Sequence, residues 1–175
     1  MEQRKSRKRV FLAFGLTLTF LLFTAGVYAP HGACFDTGGE VKSLGLLWAY
    51  DTEAVVRFFE SLDATQLACY GEFLQIWDML FAALYGLFYA SWIGVFFGRA
   101  RWFSLLPVAA AMMLDWMENL LEIQMIHQFA QGEVVSAVFV DVGSVLNSAK
   151  WVATTLIFVV LVVGVVQKIR TWIAR

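Results

Sequence analysis

Four long apolar stretches constrain the fold of this chain more than any other feature of its sequence. A helix of about twenty residues covers roughly 30 Å, which is the thickness of the hydrocarbon core of a bilayer. Of the 175 residues, 60% are hydrophobic, a share typical of a polytopic membrane protein and too high for a soluble domain. The sequence therefore predicts an all-α, single-domain, four-helix transmembrane bundle, with spans at about 10–29, 75–97, 102–127 and 145–166.

Basic residues indicate the orientation of these spans. Lys and Arg are concentrated near the two ends of the chain, at 4–9 and 168–175, and in the short turn 98–101. Cytoplasmic segments carry an excess of Lys and Arg, so both termini and this turn are predicted to be cytoplasmic, in a bacterial inner membrane. A cleaved signal peptide is the alternative for the first span. It is disfavoured because Pro30 follows the only suitable cleavage site and the apolar run is longer than a usual signal core.

The segment 30–74 is predicted to be a long outer loop that carries amphipathic helices. Asp51 can cap a helix whose apolar face includes Phe58, and such a helix is expected to lie in the membrane interface or over the mouth of the bundle. Asp63 and Gln66 have the spacing of a capping box. They predict a further helix that continues directly into the second span.

The two cysteines of the chain, Cys34 and Cys69, both lie in this loop. The loop is assigned to the outer side, where an oxidising compartment favours disulfides. A bridge between them would tie the end of the first span to the start of the second, and we predict that it forms. Two free thiols are the alternative.

A cluster of polar residues lies inside the third apolar stretch. At 100° per residue, Asp115, Glu118, Asn119 and Glu122 fall on one face of a helix. Ionisable groups at membrane depth are costly unless they are paired or wetted. This face is therefore expected to point into the bundle or into a water-filled cavity.

Polar residues of the neighbouring spans are expected at a similar depth. Asp78 lies near the outer end of the second span, and Asn147 and Lys150 share a face in the outer third of the fourth. The inner half of every span is almost wholly apolar, so we predict a polar pocket that opens outward and is closed below. An ammonium at this depth needs a partner. Lys150 is predicted to lie within salt-bridge or one-water distance of at least one of Asp115, Glu118 and Asp78.

Up to four carboxylates share this predicted pocket with a single ammonium. They cannot all be ionised at low dielectric, so some carry protons, bind a cation or reach water. Asp115 and Glu118 are the candidate catalytic acid and base, with Lys150 as their electrostatic partner. The candidate ligand-binding residues are Asp78, Tyr85, Tyr89, Asn119, Glu122 and Asn147.

Two other interpretations of the polar cluster stay open. The residues could serve only as interhelical hydrogen bonds that fix the packing, or they could form an ion or proton pathway, which the apolar inner half disfavours. No cofactor is predicted, because the chain lacks nucleotide-binding and Cys-x-x-Cys motifs. No metal site is predicted either, because Glu122 and His127 do not share a helix face.

The motifs Asp115-x-x-Glu118-Asn119 and Asn147-x-x-Lys150-Trp151 resemble a pattern of small uncharacterised four-helix bacterial membrane proteins, a group that implies no function. The layout of helices, outer loop and acids is also similar to that of the EXPERA family, which includes the sterol isomerase and the sigma-2 receptor. This resemblance implies a cavity that binds sterols or hydrophobic amines and in which acids move a proton. No residue here aligns with that family's catalytic histidine, so isomerase activity is not carried over.

The predicted function is to bind or transform a small amphipathic or lipid-like molecule in an outward-facing pocket, and whether the chain is an enzyme stays open. The alternative is a non-catalytic accessory subunit or assembly factor, whose apolar helix faces and outer loop dock on a larger membrane complex. The expected partners are membrane lipids and a lipid-like ligand, or in the alternative another protein or a second copy of the chain. No nucleic acid is expected as a partner.

Overall fold

The structure, a computed structural model, describes residues 2–39, 41–98 and 102–174. Of these described residues 87% are helical and none is in a strand, so the predicted all-α class is confirmed. Within those residues the α-helices are α1 Glu2–Phe23, α2 Ala29–Gly32, α3 Thr52–Glu60, α4 Ala64–Glu72, α5 Met79–Phe97, α6 Leu106–Ala130 and α7 Ala137–Ile173.

The first helical stretch is longer than the apolar run predicts. A π-helical turn, Thr24–Tyr28, joins α1 to α2, and a 3-10 turn, Ala33–Phe35, extends α2. Pro30 lies in the first turn of α2. The missing N–H of this proline is tolerated there, because the hydrogen-bonding pattern changes from π-helical to α-helical just before it.

The second long stretch begins before the membrane-spanning run, as the capping box predicts. Asp63 accepts hydrogen bonds from the backbone N–H groups of Thr65 and Gln66, and the Gln66 side chain accepts one from the backbone of Asp63. From there α4 passes through a π-helical segment, Phe73–Asp78, into α5. The predicted continuity of this helix with the second span is confirmed.

Within the described residues, three helical stretches are long and apolar enough to cross a membrane, namely Arg7–Phe35, Ala64–Phe97 and Ala137–Ile173. They mark the chain as a membrane protein. The 25-residue helix α6 is not one of the three, since its carboxylates interrupt the apolar sequence. The basic turn predicted at 98–101 falls, after Gly98, on residues 99–101, which lie outside the described part of the chain.

Two apolar clusters hold the helices together. The first joins α3 and α4 to the end of α6 and the start of α7, and Val55, Phe58 and Phe59 of α3 are buried in it. The second joins α5, α6 and α7 around Ala82, Ile93 and other residues that include Val108, Ala111, Ala153 and Ile157. The helix that Asp51 was predicted to cap therefore exists, and its apolar face packs on the bundle.

A disulfide joins Cys34, in the 3-10 turn after α2, to Cys69 in α4. The two Cα atoms are 6.4 Å apart, and the bond closes a loop with a sequence separation of 35 residues. The predicted pairing is confirmed. In the chain-entropy description, a loop of this length stabilises the fold by roughly 3–4 kcal/mol.

Candidate functional site

The polar face of α6 is buried inside the helix bundle. Asp115 is 5% exposed and Glu118 is fully buried. Asn119 and Glu122 are as deeply enclosed, at 2% and 1% exposure. The helical spacing that places these four side chains on one face therefore directs them inward, as the sequence predicts.

Lys150 of α7 forms ion pairs with two carboxylates of α6. Its Nζ atom lies 3.0 Å from Asp115 Oδ1 and 2.6 Å from Glu118 Oε2. The contact with Asp115 is also a directed hydrogen bond, whereas that with Glu118 is a close approach of charges without hydrogen-bond alignment. The prediction that Lys150 has a carboxylate partner at this depth is confirmed.

Three tyrosine hydroxyls donate hydrogen bonds to three carboxylates of the site. Tyr28 donates to Asp78 Oδ1 at 2.6 Å. Tyr85 donates to Asp115 Oδ2 at 3.1 Å, and Tyr70 donates to Glu122 Oε2. A neutral donor reduces the cost of burying an acid without adding a compensating charge.

Asn119 completes this set of contacts from α6. Its Nδ2 atom donates to Asp78 Oδ2 at 2.8 Å, so both oxygens of that carboxylate have donors. Asn119 therefore orients Asp78, and this contact joins α6 to the helix that contains the second span.

A cavity of about 240 Å³ lies against these groups. Its lining includes seven of the residues that the sequence singled out for the site, namely Asp78, Tyr85, Tyr89, Asp115, Asn119, Glu122 and Lys150. The remaining wall is mostly aromatic or contributed by the loop before α3, and consists of Phe20, Tyr28, Phe35, Ser43, Gly45, Leu46, Tyr70, Phe73, Leu74, Phe81, Trp151 and Thr154.

Two residues predicted for the site do not line this cavity. Glu118 lies behind Lys150, which it contacts. Asn147 holds the loop before α3, since its Nδ2 atom donates to the carbonyl oxygens of Leu47 at 2.7 Å and Leu44 at 3.3 Å. The ligand contact predicted for Asn147 is thus replaced by a contact with the chain itself.

The sequence analysis did not find two of the tyrosine partners. Tyr28 lies at the end of the first predicted span, and Tyr70 lies in the capped helix α4. Tyr70 follows Leu67 by three residues in α4, so the two side chains share a helix face. That spacing could have indicated that Tyr70 is buried. For Tyr28, the sequence offered only the nearby Pro30 and the end of the apolar run, and neither indicates a contact with an acid.

Tyr50, in the loop before α3, lies near the buried acids Glu122 and Glu118. Burial raises the pKa of Tyr50 far above its usual value, and the carboxylates of Glu122 and Glu118 add to this effect. Its hydroxyl has no hydrogen-bond partner among the described residues. The ring lies against α7 at Gly143, where an added Cβ would be 2.5 Å from the hydroxyl oxygen.

The arrangement can bind a polar group and hold a proton. Asp115 contacts both Lys150 and Tyr85 and also faces the cavity, so it is the one acid in this set with access to a bound molecule, to a cation and to a phenol. Within the described residues, no group of three or more His, Cys, Asp and Glu side chains is arranged to hold a metal ion.

Comparison of the chain with models of protein families, with curated proteins and with solved structures found no match. The similarity to small four-helix bacterial membrane proteins and to the EXPERA family therefore rests on motifs and layout, and it stays an expectation. Function has to be argued from the geometry of the site.

Proposed function

We propose that this protein is a four-span membrane protein of the bacterial inner membrane whose bundle binds a small amphipathic or lipid-like molecule. In this proposal α6 also crosses the membrane, as the third of four spans, the loop before α5 is on the outer side, and both termini are cytoplasmic. The basic residues at 4–9 and 168–175 support that orientation.

One observation carries the proposal. A single cavity brings together a buried lysine, three carboxylates and an amide with a wall of aromatic side chains from several helices. Buried ionic groups are expensive, and they often mark functional sites in membrane proteins. A cavity with polar groups on one side and rings such as Phe20 and Phe81 on another suits a molecule with a polar end and an apolar body.

The proposal also assigns roles within the cavity. Asp115 and Lys150 would bind the polar end, since both line the cavity and each contacts the other. Tyr85 would hold Asp115 in position through its hydroxyl. If the bound molecule is transformed, Asp115 is the group that would exchange a proton with it, and Glu118 would act through Lys150.

Native mass spectrometry of the purified protein in detergent tests this function. The wild-type protein is expected to carry an extra mass that collisional activation removes. Thr154→Trp should abolish that mass, because Thr154 lines the cavity and an indole there would fill it.

Thr155→Trp is the matched control. Thr155 is the next residue of α7, is exposed and does not line the cavity. It should retain the bound mass. A wild-type protein that carries no small molecule, or equal losses in the two variants, would contradict the proposal.

The alternative, an accessory subunit or assembly factor, is tested by affinity purification in mild detergent. Recovery of a protein partner in stoichiometric amount, together with the absence of a bound small molecule, would favour it over the ligand-binding function.

A further inference from the structure

A second cavity adjoins the first. Its volume is about 360 Å³, and it lies between the end of the first helical stretch, the loop that follows and Phe58 of α3. Three residues line both cavities, namely Phe35, Ser43 and Leu46. The two cavities therefore meet at these three residues, which are called the partition below.

The backbone on one side of the partition is fixed to α7. Asn147 and Trp151 both donate to the carbonyl oxygen of Leu47, at 2.7 and 3.0 Å. One residue further along, Ser148 Oγ donates to the carbonyl oxygen of Trp48 at 2.9 Å. Polar side chains of α7 thus hold the loop that carries Leu46 in place.

The side chain of Leu46 is much freer than its backbone. It lies between the held carbonyl groups of Leu44 and Leu47 and is 66% exposed. An exposed side chain changes rotamer within nanoseconds. Rotation of the Leu46 side chain can therefore change the width of the space where the cavities meet, without movement of the loop.

The opposite side of the partition is rigid. The ring of Phe35 lies 4.8 Å from that of Tyr70 and 5.0 Å from that of Phe73. Phe35 also follows Cys34 directly, and the disulfide fixes that residue to α4. A movable leucine and a fixed aromatic ring thus both lie where the two cavities meet.

Taken together, the two cavities have the volume of a usual site for a small organic ligand. Sites for small organic ligands usually have volumes of roughly 300–1,000 Å³. The first cavity, at about 240 Å³, is below that range by itself, and the two together fall within it. The first contains the carboxylates and the lysine, whereas the second is walled largely by small or apolar residues that include Ala29, Gly32, Ala33, Val41 and Phe58.

We propose that the two cavities form one binding site for a single-chain amphipath. Its head donates hydrogen bonds to the carboxylates of the first cavity, and its chain passes between Phe35 and Leu46 into the second. This inference rests on the proposed function and adds to it the shape and the hydrogen-bonding character of the ligand. Exposed Asp36 and Lys42 mark the solvent side of the second cavity.

A series of 1-monoacylglycerols with short, medium and long acyl chains tests the inference. Their hydroxyl groups supply the donors, and binding to the full-length protein is followed by native mass spectrometry. Each additional buried methylene strengthens binding, so the long chain should bind the wild-type protein at least roughly tenfold more tightly than the short chain. Leu46→Trp should bring the ratio of long-chain to short-chain affinity close to one, because an indole at this position closes the passage between the cavities.

Two further variants separate blockage of the passage from a general disturbance. Ala49→Trp adds the same indole to an exposed position of the same loop that lines neither cavity, and it should keep the long-chain preference. Leu46→Ala should also keep it, because the passage stays open. Loss of the preference in Leu46→Ala as well as in Leu46→Trp would overturn the inference.

The results also separate failure of this inference from failure of the proposed function. Equal binding of short and long chains to the wild-type protein would overturn the two-part site, while binding in the first cavity would stand. If none of the monoacylglycerols binds and Thr154→Trp removes no bound mass from the purified protein, both proposals are overturned.

Discussion

Lys150 joins two carboxylates of α6 that would otherwise be buried without a cation. Its side chain is 13% exposed, and those of Asp115 and Glu118 are 7% and 0% exposed. Removing one member of a buried ion pair leaves the other charge uncompensated, at a cost of roughly 3–5 kcal/mol. We expect Lys150→Met to destabilise the protein by about this amount in chemical or thermal unfolding.

Double variants identify which of the two carboxylates, Asp115 or Glu118, is the more important partner of Lys150. Lys150→Met combined with Glu118→Gln, or with Asp115→Asn, should recover part of the loss, because the second change removes the uncompensated charge. Additive losses in both combinations would show that Lys150 does not stabilise these acids.

Tyr70 and Tyr50 offer a matched pair of hydroxyls. Both rings are buried, but Tyr70 donates to Glu122, whereas the Tyr50 hydroxyl has no hydrogen-bond partner among the described residues. Loss of a donor to a buried acceptor costs roughly 1–3 kcal/mol. We expect Tyr70→Phe to lower the free energy of unfolding by that amount and Tyr50→Phe to leave it nearly unchanged. Equal effects in thermal unfolding would contradict this account.

At the residue scale, helical periodicity was sufficient for part of the site. It placed Asp115, Glu118, Asn119 and Glu122 on one face, and the cost of a buried ammonium required a partner for Lys150. It could not supply the tyrosine partners, since these come from other helices and depend on how the helices pack. The same limit explains why the ligand contact predicted for Asn147 is not formed. Asn147 shares a helix face with Lys150, but its side chain donates to the carbonyl oxygen of Leu47 in the loop before α3.

At the scale of elements, α5 and α7 pack closely where a glycine faces an aromatic ring. An added Cβ at Gly164 would lie 2.8 Å from Phe96 Cβ, a separation that requires the helices to move. Overpacking of this kind typically costs about 1–3 kcal/mol. Gly164→Ala is therefore expected to lower the unfolding temperature in detergent.

Gly94 of α5 provides the control for that substitution. An added Cβ there would meet nothing within 4 Å, so Gly94→Ala should be neutral or stabilising by up to about 1 kcal/mol through helix propensity alone. If both alanine variants had the same effect, close packing at Gly164 would not be the reason for its glycine.

Helix existence was easier to predict than helix ends. The apolar run placed the last span at about 145–166, but α7 covers Ala137–Ile173. Hydropathy reports the part of a helix that suits lipid, and the polar turns at either end continue the same hydrogen-bonded helix. The first helical stretch likewise continues past the predicted end of its span at residue 29, since Pro30 lies in the first turn of α2, where its missing N–H is tolerated.

At the scale of the whole molecule, the number of spans decides which side of the membrane each terminus occupies. In the described part of the chain, three stretches qualify by length and composition, and α6 does not. Yet the carboxylates of α6 are buried, while its outward face presents Met113, Met117 and Leu120 at 49%, 48% and 55% exposure. A helix with an apolar outer face and its polar residues turned inward can lie in lipid.

Reporter fusions test this topology. Four spans place both termini in the cytoplasm, whereas three spans place them on opposite sides. Green fluorescent protein, which fluoresces only in the cytoplasm, should be bright at either terminus, and alkaline phosphatase, which is active only outside it, should be inactive there. Phosphatase inserted at Gly132, in the exposed turn between α6 and α7, should be active. Termini on opposite sides would remove α6 from the membrane, and the cavity would then face a different environment from the one that the proposed lipid-like ligand requires.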